Sequence, residues 1–309
     1  MAEREKKIGE EGEAKVRRFL EKVGWVPIQP GTDIACLFPK EHKLTAKSVP
    51  RESHGVDLIF SYVCPLIPSI RRNILISIKD SFSNETKTRN SDIKTAIKDL
   101  GTALKCFKKN PMRKAFQGMG GGVSAIEDTG VLIKLNKDPI STRSFLGTIN
   151  KAESISVEEQ SAVFFIENSR YDFIETSIQF IEREFKEWTY EFFLPKNSLN
   201  TSGEKRHVSS KLLPVQSLSG GPLAFRLEMG DETKLVIISE EPFSQSRFRR
   251  YSGMALDLSA NWVSVVITFP DYRALEHGSI VNEILQSLSD RSYANKILCA
   301  SSNPSSRLQ

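Results

Sequence analysis

The chain has 309 residues, of which 39% are hydrophobic and 26% charged, and it carries a formal net charge of +5. That length exceeds one average domain, and that balance describes a folded protein rather than a disordered one. No apolar run reaches the roughly 18–20 residues of a bilayer-spanning helix. The charged start, Met1-Ala2-Glu3-Arg4-Glu5-Lys6-Lys7, has no apolar segment behind it, so no secretory signal is expected. Cys36, Cys64, Cys106 and Cys299 lie far apart without a CxxC, and the four histidines are scattered. The expectation is a reduced, cytoplasmic protein without a structural zinc site.

The first predicted element is a helix over residues 8–23. Ile8, Gly12, Val16, Phe19, Leu20 and Val23 recur at helical spacing, and Gly24-Trp25 ends it. Glu13 lies beside this stripe; most helix glutamates simply face solvent. Residues 26–53, with Pro27, Pro30, Gly31, Pro39 and Pro50, read as a long loop holding one short strand at 32–38. Loops longer than about 12–15 residues in a compact domain tend to be functional or mobile. Two buried strands follow, His54-Gly55-Val56-Asp57-Leu58-Ile59-Phe60 and Ile74-Leu75-Ile76-Ser77-Ile78-Lys79-Asp80. Alternation puts Asp57 with Ile59 on one face, and Ser77 with Lys79 on one face of the next strand. If the strands are neighbours, an acid and a lysine meet at the edge of an apolar sheet, where an unpartnered charge is expensive. His54 stands near enough to Asp57 to take part, although capping a strand is the commoner role.

Between Lys87 and Lys114 there are nine Lys/Arg against two Asp. A helix is predicted over 92–108, capped by Ser91, with Ile93, Ile97, Leu100, Leu104 and Phe107 as its buried stripe. Lys94, Lys98, Lys105 and Lys108 fall on the other side, either as a solvated face or as a phosphate-binding surface. Gly118-Met119-Gly120-Gly121-Gly122 lacks the ending of a phosphate-binding P-loop and reads as a turn. Strands at 130–135, 162–166 and 189–194 alternate with a helix at 171–185, which argues a mixed α/β sheet flanked by helices. Residues 196–222 shift to Ser, Asn, Gly and Lys and read as a linker or extended loop. Beyond it come strands at 234–238, 263–269 and 296–300 and helices at 246–258 and 279–288. The expected domains are 1–195, the linker 196–222, a C-terminal α/β region 223–300 and a disordered tail 301–309. Arg247, Arg249 and Arg250 beside Phe248 and Tyr251 suit a nucleic acid and an exposed helix or protein interface equally.

The runs IGEEGEAKVRRFLEKVGW, HGVDLIF and ILISIKDS, in that order, resemble the PD-(D/E)XK nuclease superfamily. The resemblance implies an α/β fold with a restriction endonuclease-like mixed sheet flanked by helices, followed here by a C-terminal α/β extension. It implies a Mg2+ (or Mn2+) site in which Asp57 is the central ligand, Glu13 supports it and Ile78 offers its carbonyl. Lys79 would orient the attacking water or stabilise developing charge, and the helix after it would line DNA through Lys94, Lys98 and Lys105. Ser77 stands where the family has a second acid; its hydroxyl ligates weakly and brings no charge. Magnesium keeps several waters, so two carboxylates and a main-chain carbonyl are enough to hold it.

The same runs are similar to nucleases of bacterial anti-phage defence operons. That implies metal-dependent hydrolysis of DNA and a second protein subunit encoded nearby, with self-association left open and no membrane involved. The alternative is a catalytically degenerate subunit that binds DNA or DNA ends and leaves cutting to a partner. A serine hydrolase is not supported, because no GxSxG occurs.

Overall fold

The computed structural model describes residues 2–43, 49–81, 90–118, 122–136, 162–195, 207–258 and 264–303. Contacts divide the chain into two compact units, Met1–Tyr171 and Asp172–Gln309. Among the described residues no helix is long and apolar enough to cross a membrane.

The first unit is built on a five-stranded sheet in the order β1 (Gln29–Ala35), β2 (Ser53–Val63), β3 (Ile70–Ser81), β4 (Ala125–Asn136), β5 (Ala162–Glu167). β1, β2 and β3 pair antiparallel, whereas β3, β4 and β5 pair parallel. A parallel neighbour demands a crossover, and α2 (Asn90–Phe107) with α3 (Pro111–Gly118) supplies it between β3 and β4. The centres of β2 and β3 are apolar without interruption because both faces are covered; Leu58, Ile59, Phe60, Ile74, Leu75 and Ile76 are all buried.

α2 lays Ile93, Ile97, Leu100, Leu104 and Phe107 into one core with Ile59, Leu75 and Leu132. Gly130 lets the helix come close, since a Cβ there would lie 2.9 Å from the Leu100 side chain. α1 (Ala2–Lys22) ends as its sequence demands. Gly24 adopts φ 84°, its N–H donates to Glu21 O, and the Trp25 N–H donates to Leu20 O. This is a Schellman cap, whose left-handed position favours glycine. It turns Trp25 onto the sheet, where the indole stacks on Phe60 at 5.0 Å and meets Tyr62 at 6.0 Å.

The second unit has a six-stranded sheet. Its order is β11 (Ile297–Ser301), β10 (Ser264–Phe269), β9 (Glu232–Ile238), β8 (Leu223–Met229), β6 (Thr189–Pro195), β7 (His207–Ser210). β9, β10 and β11 run parallel, connected through α6 (Gln245–Leu258) and then α7 (Ala274–Ser287) with α8 (Arg291–Ala294). α4 (Asn168–Glu184) and the short α5 (Val215–Leu218) complete the described helices.

Several boundaries differ from the sequence reading. β6, placed there in the first domain, pairs with β8 and β7 in the second sheet. Residues 207–222, read as linker, contain β7 and α5, and β8, α3 and α8 were not foreseen. Ser301, assigned to the tail, closes β11. The rest of the linker, at 196–206, lies outside the described residues, as do 304–309 and the glycine run at 119–121.

Candidate active site

Asp57 begins the stretch of β2 whose Leu58 and Ile59 face Ile76 and Leu75 of β3. Its Oδ2 accepts the Ile78 N–H at 2.6 Å, so a side chain takes the place of a ladder carbonyl. Along a strand the N–H and C=O of one residue point to the same neighbour. The Ile78 carbonyl therefore faces the side on which Asp57 lies. On the other flank, Gly31 of β1 permits an unusually close approach. A Cβ at residue 31 would fall 1.8 Å from the Val56 carbonyl oxygen and 2.6 Å from that of Asp57. Glycine is the only residue that fits.

Glu13 reaches the same place from α1, which packs against β3. Its carboxyl is held above the usual range, first by burial and then by the negative charge of Asp57; Arg17 opposes the shift and Glu10 adds to it. Arg17 in turn donates to the Ile28 carbonyl at 3.1 Å, which holds it near the helix. Two carboxylates that feel one another repel, and a cation between them removes that cost. α1, β2 and β3 thus bring Glu13, Asp57 and Ile78 together. Ser77 and Lys79 flank Ile78; the serine is 9% exposed and the lysine lies at the surface. All the donors are oxygens, which suits a hard divalent cation such as Mg2+ or Mn2+.

The sequence reading missed two neighbours. Lys79 is in register with Lys134 of β4, and Lys134 with Glu167 of β5. Both are buried, so a row of charge crosses the ends of three parallel strands. The signal was present: each follows an apolar strand core as Lys79 does. His54, considered as a participant, belongs elsewhere. It is buried, and its Nε2 lies 3.3 Å from His42 Nδ1 and 3.5 Å from Cys106 Sγ. Burial, then the charges of Arg51 and His42, lowers its pKa to about 4.

Of the lysines proposed for DNA, Lys98 and Lys108 are exposed and Lys94 half-buried. Lys105 is already engaged, 3.6 Å from Glu41 and over the Phe38 ring at 4.5 Å. Lys87 and Arg89 lie outside the described residues. In α6, Phe248 and Tyr251 are core residues, and Arg247 forks onto Glu241 at 2.9 and 3.1 Å. The aromatic–arginine pattern there is internal packing and ion pairing, not a set of stacking platforms.

A mixed sheet with two antiparallel members bearing an acid and a lysine at adjoining ends, under a helix with a glutamate, is the architecture of PD-(D/E)XK nucleases. The family model described as the GAPS4 protein PD-(D/E)XK nuclease domain matches residues 1–170, which is the first compact unit to within one residue. The chain belongs to that anti-phage defence family. No curated protein and no solved structure matches it.

Proposed function

We propose that the chain is a cytoplasmic subunit of an anti-phage defence nuclease that hydrolyses DNA phosphodiester bonds with Mg2+ or Mn2+. The observation that carries this reading is the shared electrostatics of Glu13 and Asp57, with Asp57 bonded to the backbone of Ile78. A divalent cation held there lowers the pKa of a bound water and offsets charge on the phosphoryl oxygens. Asp57 spends one oxygen on the Ile78 N–H and keeps the other for the cation. Glu13 completes the carboxylate pair, and the Ile78 carbonyl adds a neutral ligand. Lys79, on the exposed strand end, orients the water and balances the negative charge that develops in the transition state. Lys94 and Lys98 supply phosphate contacts beside the site. With Ser77 in place of a third carboxylate, a divalent cation would be held by two carboxylates and a main-chain carbonyl, and therefore weakly. Ser77→Asp is accordingly expected to lower the Mg2+ concentration for half-maximal cutting.

Wild type and Lys79→Ala should be compared on linear, nicked and supercoiled DNA with Mg2+ or Mn2+, with and without the neighbouring gene's product. The expected result is metal-dependent cutting that drops about 10²–10³-fold in the variant, as for loss of one transition-state stabiliser, while DNA binding persists. Cutting that ignores Lys79 would sink the proposal. Binding without any cutting would support a second reading, favoured by Ser77 itself: a subunit that holds DNA ends while a partner cuts.

A further inference from the structure

Cys36, His42, His54 and Cys106 come from four places in the first unit: just after β1, the loop behind it, the start of β2 and the last turn of α2. Their ligand atoms all lie within 4.8 Å of one another. His42 Nδ1 is 3.4 Å from Cys36 Sγ, 3.3 Å from His54 Nε2 and 3.6 Å from Cys106 Sγ, and Cys106 Sγ is 3.5 Å from His54 Nε2. Zinc bonds of about 2.3 Å to sulfur and about 2.0–2.1 Å to nitrogen give tetrahedral edges of about 3.3–3.4 Å between nitrogens and about 3.5–3.6 Å between nitrogen and sulfur. The four separations given lie within about 0.2 Å of those edges.

Hydrogen bonding within the quartet does not account for them. A ring nitrogen carries either one hydrogen or one lone pair, yet His42 Nδ1 meets three partners at once. A central cation engages all four atoms together. The Cys106 sulfur also accepts the backbone N–H of Leu37 at 3.3 Å. Such donation is what a coordinated thiolate takes up. His42, His54 and Cys106 are 5%, 1% and 1% exposed, and Cys106 sits in the same core as Phe107 and Leu104.

We propose that Cys36, His42, His54 and Cys106 bind a structural Zn2+ that fastens the long β1–β2 connection to α2. Four protein ligands leave no position for water or substrate, so the site holds shape rather than performing chemistry. Two thiolates and two imidazoles select zinc over magnesium, the reverse of the oxygen set around Asp57. The two ends of the connection are thereby fixed to one helix, which keeps β1 and its Gly31 against Asp57. The site stands whether or not the chain cuts DNA.

The full chain, purified under reducing conditions, should carry one zinc per molecule by inductively coupled plasma mass spectrometry. Replacement by Co2+ should give the visible absorption of a tetrahedral S2N2 centre. His42→Ala and Cys106→Ser should lose the metal, whereas His42→Cys, which keeps four ligands, should retain it; this guards against variants that merely fail to fold. Asp57→Ala should retain full zinc. Wild-type protein that holds neither zinc nor cobalt, a Cys36–Cys106 disulfide in its place, or zinc lost on Asp57→Ala and kept in His42→Ala would each overturn the proposal.

Discussion

A methyl group at residue 31 has nowhere to go. The atoms it would strike are the main-chain oxygens of Val56 and Asp57, which have no rotamer to change. Overpacking of this kind typically costs about 1–3 kcal/mol, and Gly31→Ala should reach at least that in chemical denaturation. Because the displaced strand carries Asp57, cleavage should fall further than stability. Gly55→Ala is the control: its Cβ would sit 3.6 Å from Asp33 Oδ1, an ordinary contact, and it should leave both nearly unchanged. In the second unit, Tyr190 is pushed up to about 12, first by burial and then by the charge of Glu182, to which its hydroxyl donates at 3.3 Å. The unfolded phenol titrates near pH 10. The neutral form therefore stabilises the fold fully below about pH 10, and that contribution disappears as pH rises through about 12. Tyr190→Phe, compared with wild type by denaturation across that window, should show the shallower loss.

Asp57 and Lys79 were conspicuous in the sequence as candidates because they stand at the ends of apolar strands, where charge is costly. The cysteines and histidines were not. No short spacing links Cys36, His42, His54 and Cys106, and only strand pairing and the docking of α2 bring them together. The expectation of no structural zinc site rested on that spacing, whereas the fold gathers the four ligand atoms within 4.8 Å of one another.

Among elements, α1 and α2 carry the candidate residues by different means. α1 is anchored at its end, where the capped turn drives Trp25 onto Phe60 and Tyr62. Truncating a buried Trp costs about 3–5 kcal/mol, so Trp25→Ala should lower the denaturation midpoint strongly and loosen Glu13 with its helix. α2 offers a test of the phosphate surface. Lys98→Glu should weaken DNA binding uniformly across sequences and reduce the salt slope by about 1 or more. Lys105→Ala should change little, since its ammonium already faces Glu41 and Phe38. A filter-binding titration across salt concentrations distinguishes the two. The longer helices and the apolar strands followed from periodicity, but several short elements and the sheet membership did not. β6 reads as a strand next in line after β5, yet its partners are β7 and β8, and sequence order says nothing about that pairing. β8 was missed for a related reason: Arg226 and Glu228 break up its apolar run, and they pair with each other on the folded strand.

At the scale of the whole chain, two donor sets of opposite character lie within one unit. Around Asp57 the candidate donors are carboxylate, carbonyl and hydroxyl oxygens, a set suited to a weakly held, readily exchanged magnesium ion. Around His42 they are sulfur and nitrogen, three of the four residues buried and Cys36 partly so, and a metal held there would be held as part of the fold. The two should separate under graded chelation. Brief exposure to EDTA should abolish cutting, and added Mg2+ alone should restore it while the zinc count stays at one. Prolonged treatment with a zinc-selective chelator such as 1,10-phenanthroline should lower the melting temperature, and Mg2+ should not restore the loss. If cutting and melting temperature instead fall together at the first step, one metal serves both purposes and the division of labour proposed for these clusters fails. If the zinc leaves without any change in melting temperature, the β1–β2 connection is held by packing of Phe38 and Phe107 rather than by a cation.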